Sequence, residues 1–346
     1  MPRLLKEISI EITNQCALSC LHCSSNAGLP FERELSQAEI MDILRQAKWL
    51  GASIFTISGG ELLMRKDCID LMLYAWRFGF SVRLQTSAIY KNEKGKMFSL
   101  KEAFFDFWRR YSHKDDRIVF SLHGMKETHE KVTGLEGSFD LLMASIALAV
   151  ARGLKVEVHT TVMAVNYLEL GLMYDLLRDL GVKNWHLLRL VVQGSCANHP
   201  ELVLNQEQFR VAQRFFSYLI PQRFDLILGH NIDRRYSYDE SFPIRSCNIG
   251  QEKILIRANG DVTYCSAMKY PAFGNILENN LEYFWLKHPM VDIFRRFQSY
   301  GYKRLKGKCR KCVLLDSCKG GCLAQRFSAY NGNMLQGPDP LCFYGG

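Results

Sequence analysis

The chain has 346 residues, is 48% hydrophobic and carries a formal net charge of +9. That composition supports a sizeable core and excludes a disordered chain. No apolar run approaches the length of a membrane span, and the charged N-terminus does not read as a secretory signal, so a cytoplasmic location with no membrane partner is expected. The basic residues are scattered through stretches such as "FRRF" and "YKRLKGKCRKC" with no recurring basic and aromatic stripe, which argues against nucleic acid and leaves a solvated surface or an acidic docking partner.

From residue 5 to about 195, short β-branched runs alternate with helical patterns. The runs cover 6–13, 52–60, 81–87, 117–124, 155–163 and 184–194; amphipathic stretches such as 36–51 and 138–153 lie between them, and 205–219 supplies a sixth helix. Strand–helix units in series predict an α/β fold of parallel strands with right-handed crossovers. One strand face reads Val82, Leu84, Phe120, Leu122, Val156, Val158, Leu188 and Leu190, and helices should cover it. The other reads Arg83, Gln85, Ser87, Ser121, His123, Glu157, His159, Thr161, Arg189 and Gln193. So polar a face does not fill a closed eight-stranded barrel. An open, partial (β/α)6 TIM barrel with a wet cavity fits better; because strand order is not visible, a doubly wound sheet stays open as the alternative. The expected divisions are 1–195 for the partial barrel, 196–246 for the sixth helix and a linker containing "YSYDESFP", and 247–346 for a small cysteine-rich domain. That last domain should hold a β-hairpin turned at Asn259-Gly260, and short helices.

In a reducing compartment, twelve cysteines point to metal or redox chemistry more than to disulfides. Cys16, Cys20 and Cys23 sit in one loop at the end of the first strand. Three thiolates in a tight loop can hold three corners of a [4Fe–4S] cluster and leave one iron open. A zinc site completed from elsewhere is the competing reading. With Gly59, Gly60 and Glu61 one strand later, this loop resembles the signature of radical S-adenosylmethionine (SAM) enzymes. The resemblance implies that SAM chelates the open iron, that Gly59-Gly60-Glu61 binds its amino group, and that reductive cleavage yields a 5′-deoxyadenosyl radical which abstracts hydrogen from substrate. His22 stands where the family commonly has an aromatic residue, and Leu62 where it often has proline. Ser87 and Ser121 are candidates for SAM contacts; Arg189, Gln193, His123, His159 and Glu157 are candidates for SAM or substrate.

The tail repeats the theme as Cys-x12-Gly-x4-Cys, then Cys-x2-Cys-x5-Cys-x3-Cys, then a last cysteine. This resembles the SPASM extension of radical SAM proteins, against the alternative of zinc ribbons. The resemblance implies two auxiliary [4Fe–4S] clusters, three clusters in all: a distal one on Cys309, Cys312, Cys318 and Cys342, and a proximal one on Cys247, Cys265 and Cys322. A fourth proximal ligand is missing, and Cys196 is the candidate, either as that ligand or as a hydrogen donor. Cys68 reads as core.

The family resemblance fixes the class more closely than the substrate. The leading expectation is maturation of a ribosomally synthesised peptide by cross-linking, oxidation or epimerisation. The alternative is a small-molecule or tetrapyrrole-modifying dehydrogenase or decarboxylase in cofactor or natural-product biosynthesis. Expected partners are the peptide or small-molecule substrate and an acidic electron donor such as a flavodoxin or ferredoxin. Because the chain begins directly at the first strand, a separate leader-binding protein is also expected for a peptide substrate.

Overall fold

The computed structural model describes residues 4–92, 94–219, 225–228 and 247–344. Six strands carry the barrel: β1 (Glu7–Glu11), β2 (Ile54–Ser58), β3 (Ser81–Thr86), β6 (Arg117–Ser121), β7 (Val156–Val162) and β8 (Asn184–Arg189). A small antiparallel hairpin, β4 (Ile89–Lys91) with β5 (Met97–Ser99), interrupts the series after β3. The six lie side by side in chain order and every pair is parallel. A doubly wound sheet requires the strand order to reverse at a switch point. Across these six strands the order never reverses, so their successive crossovers advance in one direction and the partial barrel is the architecture.

The connecting helices are α1 (Gln37–Trp49), α2 (Cys68–Arg77), α3 (Glu102–Tyr111), α4 (Lys126–Thr133), α5 (Ser138–Ala151), α6 (Leu170–Asp179) and α7 (Gln206–Leu219). Local sequence sets their ends. Ser36 and Glu39 form a reciprocal capping box at the start of α1, and Gly134 closes α4 in the left-handed conformation. The predicted apolar stripe is buried at Val82, Leu84, Phe120, Leu122, Val156 and Val158, in one core with Leu71, Met72 and Ile146 from the helices.

At β8 the expected parity is reversed. Thr161 pairs with Leu188 and His159 with His186, so His186 and Leu188 share the inward face while Trp185 and Leu187 pack under the helices. The run "HLLRLVV" is apolar at both parities, and the fully buried Trp185 decides the register by taking the helix side.

Among the described residues, three strands extend the sheet to nine. β9 (Asp225–Leu228) pairs parallel with β8, and β10 (Lys253–Ile256) pairs parallel with β1. β10 turns through Gly260 into β11 (Val262–Thr263), which is the expected hairpin. The cysteine-rich region is therefore fused to the barrel through the β1–β10 ladder. It continues through α8 (Pro289–Ser299), α9 (Leu315–Cys318) and α10 (Leu323–Ala329). The linker stretch "YSYDESFP" lies outside the described residues. Among the described residues no single helix is long and apolar enough to cross a membrane.

Candidate active site and metal centres

A cavity of about 440 Å³ opens at the C-terminal ends of the strands, the end where barrel folds assemble their sites. Cys16, Cys20 and Cys23 form one wall, Gly59 and Gly60 the next, and Ser87, Ser121, His159 and Arg189 stand on the strands opposite. The two loops of the signature are stitched together. Gly60 N–H donates to the Thr13 carbonyl at 2.8 Å and Glu61 N–H to that of Gln15 at 2.8 Å. A Cβ on Gly60 would lie 2.2 Å from the Gln15 carbonyl oxygen, and one on Gly59, whose φ is +142°, 2.3 Å from that of Thr13. Both glycines are therefore needed for backbone to approach backbone, which holds the cysteine loop against the end of β2.

Glu61 does not line the cavity. Its fully buried carboxylate accepts from Thr86 Oγ1 at 2.7 Å, from Ser87 Oγ at 2.6 Å and from the Ser87 N–H at 2.9 Å. Burial raises its pKa against those bonds. Ser87 thus touches both the cavity and Glu61, and Glu61 acts by holding the β3 end beside the Gly-Gly turn. Gln193 also points elsewhere, donating to the Ser266 carbonyl at 3.1 Å and accepting from Lys269 N–H. Arg189 lines the cavity and pairs with Asp339 through two bonds of 2.5 and 2.6 Å.

The thiols fit iron–sulfur clusters. All twelve cysteines are free of disulfides. Burial, with the nearby Glu61 and Cys23 charges, pushes the Cys16 thiol up to about 12, and burial pushes Cys20 well up too. A pocket this unfavourable to bare thiolates holds them ionised when a metal supplies the positive charge. Backbone N–H groups of Leu18 and Ala27 already point at Cys16 Sγ and Cys23 Sγ, at 3.5 and 3.4 Å. In the tail, Cys309, Cys312, Cys318 and Cys342 line one crevice with Leu314, Leu315 and Pro338. A Cβ on Gly337 would stand 2.9 Å from Cys309 Sγ, so the glycine keeps that space open. Cys247, Cys265 and Cys322 form the second group; burial and the other two thiols push Cys247 up to about 12. Asp339 accepts from Cys322 N–H at 2.7 Å, linking this group to Arg189 on β8.

The structure does not bring Cys196 to the proximal trio. It is buried in a satellite cluster with Val132, Met163, Leu190 and Leu202. Burial, then the charges of Glu201 and Cys23, push its thiol up to about 11, and none of Cys247, Cys265 or Cys322 contributes. Ser195 N–H donates to the Cys23 carbonyl at 2.9 Å, so this segment backs the cysteine loop. Cys68 is core, as its helical periodicity indicates.

A neutral histidine group lies deeper. The His22 ring is 4.0 Å from His123, which is near-parallel to His129 at 6.2 Å. Burial holds His22 and His129 down near 4 and His123 well below its ordinary value. His129 Nδ1 accepts from His123 N–H at 3.1 Å, which fixes the tautomer. The sequence reading missed His129, His186 and Asp339; strand pairing could have found His186 had the β8 register been legible.

These features define an iron–sulfur enzyme built to use SAM. Residues 10–180 match the radical SAM superfamily and residues 247–313 match an iron–sulfur cluster-binding domain, SPASM. The chain belongs to the radical SAM superfamily and carries a SPASM domain. It is 25% identical to the AdoMet-dependent heme synthase of Oleidesulfovibrio alaskensis, over 99% of this chain and 90% of that one. It is 26% identical to the mycofactocin maturase MftC of Mycobacterium ulcerans, over 100% and 92%. The fold resembles Streptococcus suis SuiB bound to S-adenosylmethionine, with a TM-score of 0.75 at 18% identity, covering 99% of this chain and 78% of that one. It also resembles anSMEcpe with bound AdoMet and a peptide, with a TM-score of 0.69 at 14% identity, covering 93% and 90%. At these identities the structural likenesses establish the fold.

Proposed function

We propose that this enzyme matures a ribosomally synthesised peptide, abstracting hydrogen from one residue to form a cross-link, an oxidised centre or an epimer. The cavity carries the reading. About 440 Å³ and open at the strand ends, it offers SAM the space against the cysteine loop and lets a substrate side chain enter beside it. Kinship with mycofactocin maturase over the whole chain supports it. When bound, the first cluster and SAM supply the electron and the hydrogen-abstracting radical. The chain's own residues position them. Cys16, Cys20 and Cys23 would hold three irons; the Gly59-Gly60 turn, Ser87 and Ser121 border the SAM space. The neutral His22, His123 and His129 keep a proton donor or acceptor available without adding charge.

The auxiliary clusters would accept or pass electrons released as product forms. Lys308, Lys311 and Val313 border a groove lined by Cys309 and Cys312, a surface suited to an acidic one-electron carrier such as a flavodoxin or ferredoxin. Tetrapyrrole modification is the second reading, favoured by whole-chain similarity to the heme synthase.

The two readings separate in one experiment. Reduced, anaerobically reconstituted enzyme is given SAM with either a short peptide encoded beside its gene or an iron tetrapyrrole. Stimulated 5′-deoxyadenosine release, with loss of two hydrogens from the peptide or uptake of one solvent deuterium, supports maturation. Decarboxylation or oxidation of the tetrapyrrole alone overturns it.

A further inference from the structure

Two imidazoles and a carboxylate converge on the inner face of the sheet, and nothing in the radical reaction as described uses them together. Glu157 and His159 are two positions apart on β7 and so project to the same side. His186 is the register partner of His159 on β8. Their rings face one another with centroids 4.7 Å apart. Both Nε2 atoms approach the same carboxylate oxygen: His186 lies 3.5 Å and His159 3.6 Å from Glu157 Oε2. The three ligand atoms all fall within 4.8 Å of one another.

That spacing is informative. A charge-assisted hydrogen bond would draw one imidazole to about 2.7–2.9 Å from the oxygen. Here the oxygen stands almost equidistant from two rings, at 3.5 and 3.6 Å. Donors bound at about 2.0–2.1 Å to a tetrahedral divalent ion are separated by about 3.4 Å, which the observed pairs approach. The other carboxylate oxygen is taken by Arg117 Nη1, which fixes the carboxylate plane and leaves Oε2 directed at the histidines. Such outer partners orient first ligands in metal sites. Burial of Glu157 and the half-burial of both histidines limit competition from water.

We propose that Glu157, His159 and His186 form a mononuclear site for a divalent transition-metal ion, distinct from the cluster cysteines. Two nitrogens and one carboxylate oxygen suit zinc, ferrous iron or cobalt; they are too nitrogen-rich for magnesium or calcium and lack the sulfur that favours cuprous copper. His159 borders the large cavity, so the site would open onto the substrate space on that side. There it would take an oxygen or nitrogen donor from the substrate, with a carboxylate as the natural class.

The test uses cobalt(II) on anaerobic holoenzyme with its clusters in place. Wild type should take up one tightly bound equivalent, giving visible ligand-field bands in the difference spectrum without a thiolate-to-cobalt charge-transfer band. The double variant His159→Ala, His186→Ala should lose that equivalent while keeping its cluster iron. Unchanged uptake in the double variant, or thiolate bands in wild type, overturns the proposal. Wild-type crystals grown with zinc give a second measurement that no folding defect can obscure. An anomalous peak across the zinc edge between the three side chains supports the site, and no peak there overturns it. Both readouts are independent of which substrate the enzyme takes.

Discussion

Lys269 Nζ lies 2.5 Å from Glu11 Oε1, so a buried ion pair joins the first barrel strand to the segment after Cys265 in the SPASM region. Arg257, also buried, reaches the other carboxylate oxygen at 3.4 Å, and Ser25 donates to Glu11 from the cysteine loop. One carboxylate thus ties together the first-cluster loop, β10's end and the auxiliary region. Burial opposes its ionisation, but Lys269, Arg257 and Ser25 hold its pKa below the ordinary carboxylate value.

Glu11→Gln should leave two buried cations without their counter-charge and destabilise the fold by about 3–5 kcal/mol. The midpoint of urea unfolding at neutral pH measures this. Because the folded pKa is lowered, the pair's contribution is complete above the unfolded carboxylate value and is lost only as pH falls below it. The deficit of the variant should therefore be constant between pH 6 and 8. A variant as stable as wild type would remove the pair from any structural role.

Asp339 predicts a different defect. Its carboxylate receives Arg189, the Cys322 N–H and the Leu341 N–H, and so fixes a proximal thiol against β8. Asp339→Asn turns one acceptor oxygen into a donor facing other donors. The expected result is loss of about four of about twelve irons per chain. SAM cleavage without substrate should survive, since Cys16, Cys20 and Cys23 are held by other contacts. Iron assays and 5′-deoxyadenosine release separate the two effects, and full iron content in the variant would refute the link.

Gly60→Ala should do the reverse. The new Cβ meets the Gln15 carbonyl carbon and oxygen, which are backbone atoms with no rotamer to yield. The stitch between the two signature loops must open, moving Cys16. First-cluster iron and SAM cleavage should fall together while about eight auxiliary irons remain. Retained SAM cleavage would show that the loop tolerates the displacement.

The first cysteine loop, the Gly-Gly turn and the succession of strands were legible because each rests on short-range spacing, whereas the grouping of the tail cysteines came from the family resemblance. The β8 register was not, since "HLLRLVV" satisfies either parity until Trp185 is seen to fill the helix side. Nor was the fate of Glu61, Gln193 and Cys196. Their spacing places them near the site, but Thr86, Ser266 and, for Cys196, Val132 and Met163, all distant in sequence, decide where each side chain ends. The fusion of β10 onto β1 escaped for the same reason: a parallel pair separated by most of the chain leaves no local signal.

His129 supplies a prediction in which pH is the variable. Burial holds its pKa near 4 in the folded protein, against about 6.5 when unfolded. The folded state therefore keeps the ring neutral while the unfolded chain protonates it. Its contribution to stability is complete above the unfolded pKa and declines as pH falls from there toward 4. Between pH 6 and pH 5 this one group should cost roughly 1 kcal/mol. His123, lowered in the same direction, adds to the loss. His129→Asn retains an acceptor for the His123 N–H and cannot titrate, so the variant should lose roughly 1 kcal/mol less than wild type over that interval. Urea midpoints at the two pH values measure the difference. Equal losses in both proteins would mean that His129 is charged in the folded state, and the neutral histidine group behind the cysteine loop would have to be abandoned.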